Sequence, residues 1–325
     1  MQSSHVKTHT DGIWISAEKE IEIVKQLTQQ LITVGFIPLA QNSDNFKCPY
    51  MYSRNTMQLN CRLVDSVFFT DPNSWTSEST VTITDNYPLL PVAGKLISAL
   101  PEVWSIWHFE PTYIDRPATQ GYNCFMNRSR GDRSLIFYEL IKRDILNKGI
   151  VSYNCSLEDY EQEYVKADLY KYEPQHTVGQ TLVPYNTVEQ HGTLEQCIID
   201  SNISVILETY TSDSHIVFSE KIFRALQLPR PWLLYCSPGS VKLLKNHGFD
   251  VLDDYVNIAY DNIIKHGDRL REILDQLEIF IDRKYTDKDY ARFNQAAIHN
   301  QTLLAHFEKA WPDKFDSILN KIKEL

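Results

Sequence analysis

Two adjacent residues of opposite charge, Glu220 and Lys221, stand at the head of the segment FSEKIFRALQL. Ser219 before them is a good N-cap, and Phe218 and Phe223 occupy the positions of a hydrophobic staple. The pair therefore falls on the first two residues of a predicted helix. A carboxylate there can accept both hydroxyls of a ribose, and its neighbouring ammonium can meet a phosphate. The unpaired N–H groups of the helix start add to the attraction for an anion. The same Glu220 also suits a structural role, complementing the helix dipole for about 0.3–1 kcal/mol while Lys221 stays solvated.

Other candidates fall at similar places. Glu208 closes the apolar run SVILE, either as a second carboxylate at a strand terminus or as a solvated strand end. The turn NRSRGDR carries Arg128, Arg130 and Arg133, which could grip a diphosphate bidentately or simply form a solvated basic turn. In SPGS, Ser237 reads as an N-cap with Pro238 and Gly239 following, a further helix start open to an anion. Transfer to a hydroxyl would need a general base, and IWHFEPTYID offers His108, Glu110 and Asp115, with Asp71 and Asp85 as other candidates. Trp104, Trp107, Phe109 and Tyr113, interleaved with that cluster, could stack on a sugar or base, although aromatics at alternating positions more often build core. The only Asp-x-Asp is Asp287-Lys288-Asp289, which reads as a charged helix start, so no metal is expected. Neither GxxxxGK[ST] nor GxGxxG occurs, so a P-loop or a dinucleotide fingerprint has no support.

The elements that must position these residues follow from periodicity. Apolar spacing predicts a helix in DGIWISAEKEIEIVKQLTQQLITVGF, capped at Gly35. RLVDSVFF and STVTIT read as strands, PVAGKLISAL as a helix and VWSIWHFEP as an aromatic strand. From Tyr122 the order is strand (YNCFM), polar turn, helix from Ser134 to Gly149, and strand (IVSYN). Then come helix (TLEQCIIDSN), strand (ISVILET), helix (SEKIFRALQL), strand (PWLLYCS) and helix (SPGSVKLLKNHG). That rhythm implies a parallel sheet with right-handed crossovers. The tail from Asn257 reads as helical, with a shorter helix after Pro312. The pattern suggests an α/β protein with two Rossmann-like units, residues 1–120 and 121–325, and a helical C-terminal tail.

Bulk composition narrows the class. The 325 residues are 43% hydrophobic and 23% charged, which is globular, and the formal charge of −10 disfavours a general affinity for polyphosphate. Six cysteines stand without paired spacing, and the polar start of the chain has no apolar signal region, so a cytoplasmic protein is expected, in the host cytoplasm if the source is viral. No apolar run is long enough for a membrane span.

The segment ILETYTSDSHIVFSEKIFRALQLPRPWLLYCSPGSVKLLKNHGFDVLDDYVN resembles the nucleotide-sugar half of GT-B glycosyltransferases. It looks most like phage and bacterial relatives of the α1,3-fucosyltransferases, as does NCFMNRSRGDRSLIFYELIKRDILNKGIVSYN. The shared features are a strand ending in Glu-Thr, a Ser/Thr-Glu-Lys helix start, a linker with Pro, an apolar strand, a Gly-containing turn and a Gly-Phe pair. The resemblance implies a metal-independent glycosyltransferase that needs no cofactor and uses a nucleotide-diphosphate sugar as co-substrate. Glu220 would hold the ribose, and Lys221 with Arg128, Arg130 and Arg133 the diphosphate. LQLPRPWLLY departs from the small residues of that family, so its donor specificity is not implied. The acceptor stays open among glycan, protein, small molecule and the hydroxymethylated pyrimidines of phage DNA. A binding module without turnover is the alternative of a different class.

Overall fold

The computed structural model describes residues 37–38, 57–60, 66–69, 80–84, 87–88, 95–98, 100–111, 115–126, 131–153, 185–186, 188, 192–208, 211 and 215–323. The helix expected near the start of the chain lies outside them. Short strands make the first sheet: β1 (Ile37–Pro38), β2 (Met57–Asn60), β3 (Ser66–Phe69), β4 (Thr80–Thr84) and β6 (Lys95–Ser98), in the order β1-β2-β3-β4-β6. β1, β2 and β3 pair antiparallel, whereas β3, β4 and β6 run parallel, so this sheet is mixed. The strands expected in RLVDSVFF and STVTIT are present. Residues 95–98 correct the helix expected in PVAGKLISAL, because pairing with β4 decides a short apolar run that fits either period.

The second sheet contains β7 (Gln120–Met126), β8 (Gly149–Tyr153), β9 (Tyr185–Asn186), β10 (Ser201–Leu207) and β12 (Trp232–Tyr235), ordered β12-β10-β7-β8-β9. All pairs are parallel except the β8–β9 edge. Every residue of β8, β10 and β12 is buried. Burial on both faces is why these strands read as continuous apolar runs rather than alternating ones. A two-residue antiparallel pair, β5 (Tyr87–Pro88) with β11 (His215–Ile216), joins the first part of the chain to the second.

Helices cover both faces of this sheet. α1 (Gly131–Lys142) and α5 (His266–Ile281) lie together, tied by Arg143 to Asp275 and Glu278. α2 (Leu194–Ile199) and α3 (Glu220–Leu226) are joined by the buried pair Glu195–Arg224. From β7 the chain steps to β8 on one side and later to β10 on the other, which puts the switch point between β7 and β10. α1 ends at Lys142, short of the expected Gly149, and Asp144 at φ 55° breaks the helix before β8.

Two further expectations change. VWSIWHFEP is not a strand: residues Glu102–Trp107 form a 3₁₀ helix, with Val103 and Trp104 turned into the core. Trp104 packs against Phe218, Phe223, His247 and Phe249, at centroid distances of 5.1–6.1 Å, so this ring builds core, the commoner role of such aromatics. Residues 100–109 thus belong to the core of the second sheet although they precede residue 120. Nor does a separate helix begin after Pro312, since α6 (Asp287–Lys323) runs through it. Proline removes a helical hydrogen bond, at a cost of about 3 kcal/mol. Tertiary contacts on both sides of the proline hold the continuation. Trp311 and Ile318 are buried in the core, and the Lys314 ammonium reaches Leu100 O at 2.7 Å and Glu102 at 3.0 Å. No helix among the described residues is long and apolar enough to cross a membrane.

Candidate functional site

The carboxyl edge of the second sheet gathers the ends of β7, β8, β10 and β12, and Glu208 follows β10 directly at the switch point. Glu208 is only 1% exposed. Its Oε1 accepts the backbone N–H of Ser219 at 3.0 Å, and its Oε2 accepts the Ser219 hydroxyl at 2.5 Å. This is not a solvated strand end, because the buried carboxylate ties β10 to the head of α3.

Ser219 is the N-cap of α3, extended at φ −124° and ψ 179°, with its hydroxyl oxygen toward the Lys221 N–H at 3.5 Å. Phe218 and Phe223 form the staple, their rings edge-to-face at 6.0 Å. Glu220 and Lys221 are therefore the first two helical residues, as the sequence implies. The Lys221 ammonium donates to Ser219 Oγ at 2.8 Å and lies 3.7 Å from Glu208 and 3.5 Å from Glu220. Two carboxylates and one ammonium leave this cluster with one formal negative charge.

Glu220 is not the exposed carboxylate of a simple dipole complement. Its side chain is 11% exposed, and its Oε2 is buried without a hydrogen-bond partner among the described residues. An unsatisfied buried acceptor costs about 1–3 kcal/mol, more when charged. The arrangement sets this carboxylate beside the Lys221 ammonium, with the Arg224 guanidinium near enough to interact with it.

The helix start after β12 differs from the expectation. Its helix, α4, spans Ser240–Asn246, and its N-cap is Gly239 in the left-handed region at φ 82°, a conformation that favours glycine. Ser237 and Pro238 stand before it, and Ser237 O accepts the Ser240 hydroxyl at 2.5 Å. The carboxylate of Asp261 already sits on this helix start, accepting the Lys242 N–H at 2.9 Å, while Gly239 N–H donates to Asp261 O at 2.8 Å. The start of α4 is thus closed by a side chain rather than open to an anion. Burial raises Asp261 above the usual carboxylate range, against the lowering effect of the α4 N–H groups. Sequence reasoning missed Asp261 because no local pattern links it to α4.

Arg133 falls in the first turn of α1 but is buried at 3% exposure, close enough to Cys124 to act on its thiol. It is not part of a solvated basic turn. Arg128 and Arg130 lie outside the described residues.

The three candidate bases are not brought to this edge. Gln227, the C-cap of α3, donates to Trp107 O at 2.9 Å and accepts from Phe109 N–H at 3.1 Å. Residues 107–109 therefore sit at the far end of α3, about 10 Å along its axis from Glu220. His108 contacts Glu308 at 3.0 Å, and Glu110 is exposed. Asp115 pairs with the buried Arg230 at 3.1 Å and accepts from Asn294 at 2.8 Å, at the amino edge of the sheet. His108, Glu110 and Asp115, expected as candidate bases of the first part of the chain, thus lie away from the Glu208, Glu220 and Lys221 cluster.

Asp287-Lys288-Asp289 opens α6, with Asp289 bonded to Thr286 and Tyr255. Among the described residues no three His, Cys, Asp or Glu side chains stand together as metal ligands.

No protein-family model and no curated protein matches the sequence. Among solved structures, similarity is found to a T4 phage BGT mutant in complex with UDP-glucose. The identity is 9% and the TM-score 0.32, over 74% of this chain and 61% of that one. Similarity is also found to a DNA-modifying β-glucosyltransferase studied with and without uridine diphosphoglucose. There the identity is 9% and the TM-score 0.35, over 80% of this chain and 75% of that one. Likeness of this degree assigns neither an activity nor residue roles to this chain.

Proposed function

We propose that this chain is a GT-B-like glycosyltransferase, moving a sugar from a nucleotide-diphosphate donor to a hydroxyl acceptor without a metal. The observation that supports it is the Glu220 carboxylate beside the Lys221 ammonium at the carboxyl edge, next to the switch point where doubly wound sheets bind their ligands. A ribose hydroxyl donating to that carboxylate would form a charge-assisted hydrogen bond. Lys221, about a third exposed, is the nearest cation for the diphosphate. Its charge would stabilise the departing group as the glycosidic bond breaks.

In this reading residues 1–120 carry the acceptor side and residues 121–325 the donor side. The general base then belongs to the first part, where His108, Glu110 and Asp115 are the candidates, with Asp71 and Asp85, both outside the described residues, as others.

Calorimetric titration with uridine, guanosine and adenosine diphosphates tests the reading, using the parent protein and Glu220→Gln. The substitution keeps size and removes charge, so affinity for the preferred nucleotide should fall about tenfold, the loss of charge-assisted hydrogen bonds. Lys221→Ala should weaken the diphosphate more than the nucleoside. Equal affinities in parent and Glu220→Gln would remove the carboxyl-edge site from consideration. If nucleotide binds but the matching nucleotide sugar is neither hydrolysed nor transferred, the chain is a binding module instead.

A further inference from the structure

A cavity of about 600 Å³ opens at the opposite, amino edge of the second sheet, within the range of small-molecule sites. Its wall comes from the start of β7, from Lys148, from Asn202 and from the link between α5 and α6. The close fit of that wall depends on Gly121, since a Cβ there would meet Ile281 Cγ2 at 2.8 Å and Lys148 O at 2.9 Å.

Charge sets this cavity apart from the rest of the chain. Lys148, Arg283 and Lys284 face one carboxylate, Asp282, which Lys148 pairs at 3.1 Å. Three cations against one anion leave two positive charges on a chain whose formal charge is −10. Arg283 and Lys284 make no ion pair or side-chain hydrogen bond among the described residues. The next carboxylate, Asp289, is bonded by Tyr255 and Thr286 and also faces Arg283 electrostatically, which offsets part of that positive charge.

Tyr285 and Tyr290 also line the cavity, and the Arg283 guanidinium stands 5.5 Å from the centre of the Tyr285 ring. The Tyr285 hydroxyl donates to Asn202 O and that of Tyr290 accepts from Ala118 N–H, so both hydroxyls are engaged, and the Arg230 guanidinium stands 5.0 Å from the centre of the Tyr290 ring. The Asn202 amide nitrogen is committed to Phe280 O, Ile281 O and Arg283 O, which leaves Oδ1 as an acceptor.

We propose that this cavity is a second ligand site, for a nucleoside phosphate, with the phosphate on Arg283 and Lys284 and the base against Tyr285 and Tyr290. Cations beside aromatic rings are the pairing that nucleotide recognition uses, whether the nucleotide is free or part of a single strand. The site is separate from the carboxyl-edge cluster and does not depend on the function proposed for it.

Calorimetry on the full chain would use uridine 5′-monophosphate, adenosine 5′-monophosphate and a short thymidine oligonucleotide. Inorganic phosphate and uridine serve as the two halves. A mononucleotide or the oligonucleotide should bind about tenfold tighter than either half. Lys284→Glu, on an exposed residue, should reduce that binding about tenfold or more. Tighter binding of the mononucleotide identifies a free ligand, tighter binding of the oligonucleotide a strand, and both support the site. Phosphate binding as tightly as nucleotide, no binding by any probe, or an unchanged affinity in Lys284→Glu would overturn it.

Discussion

At the level of single residues, burial decides what is chemically available. Burial pushes the thiols of Cys124 and Cys236 up to about 12, and that of Cys197 likewise, with Asp200 adding to the effect. Thiolate is the reactive form, so these three should stay unmodified when native protein is treated with iodoacetamide at pH 8, and react fully in urea. Peptide mass spectrometry assigns the sites, and early native labelling of Cys124 would contradict its burial in β7. The head of α3 is legible in the sequence because capping is local: Ser219, Glu220 and Lys221 sit within three positions. Asp261 is not legible, since the N–H it accepts belongs to Lys242, 19 residues away. The placing of His108 is hidden for the same reason, as it depends on Gln227, 118 residues from Phe109.

At the level of elements, strands buried on both faces announce themselves, whereas short or long-range elements do not. β8, β10 and β12 can be read from apolar runs, but 95–98 needs its partner β4, and the passage of α6 through Pro312 needs contacts from residues 100 and 102. The start of α6 gives a pH test. Asp289 is lowered to about 2 by the hydrogen bond from Tyr255, then by the N–H and hydroxyl of Thr286. A depressed carboxylate stabilises the fold fully above its ordinary value of 3.8, and that contribution is lost as pH falls through about 2. The same bond raises Tyr255 to about 12, so its contribution holds below its ordinary value of 10.0 and is lost as pH rises through about 12. Asp289→Asn should therefore lower the urea midpoint at neutral pH, with the gap from the parent narrowing at both extremes. A gap independent of pH would show that these bonds are not formed.

For the whole molecule, the decisive contacts run between distant parts of the chain. Leu100, Val103 and Trp104 share one core with α3, β12, α4 and α6, although they precede β7. Trp104 is 3% exposed and touches rings from Phe218 to Phe249, so removing it opens a cavity at the centre of that core. Trp104→Ala should cost about 3–5 kcal/mol of stability, the usual range for a buried large aromatic. The loss should not stay within the first part of the chain. Amide exchange in β10 and β12 should accelerate by the factor that the lost stability predicts, because those strands and residues 100–109 open together. If residues 1–120 instead formed an independent unit, exchange in β10 and β12 would match the parent even while the first sheet loosened. Hydrogen-exchange mass spectrometry on both proteins distinguishes the two, and parent-like protection of Leu233 and Leu234 in the variant would place the boundary of the second unit after residue 109.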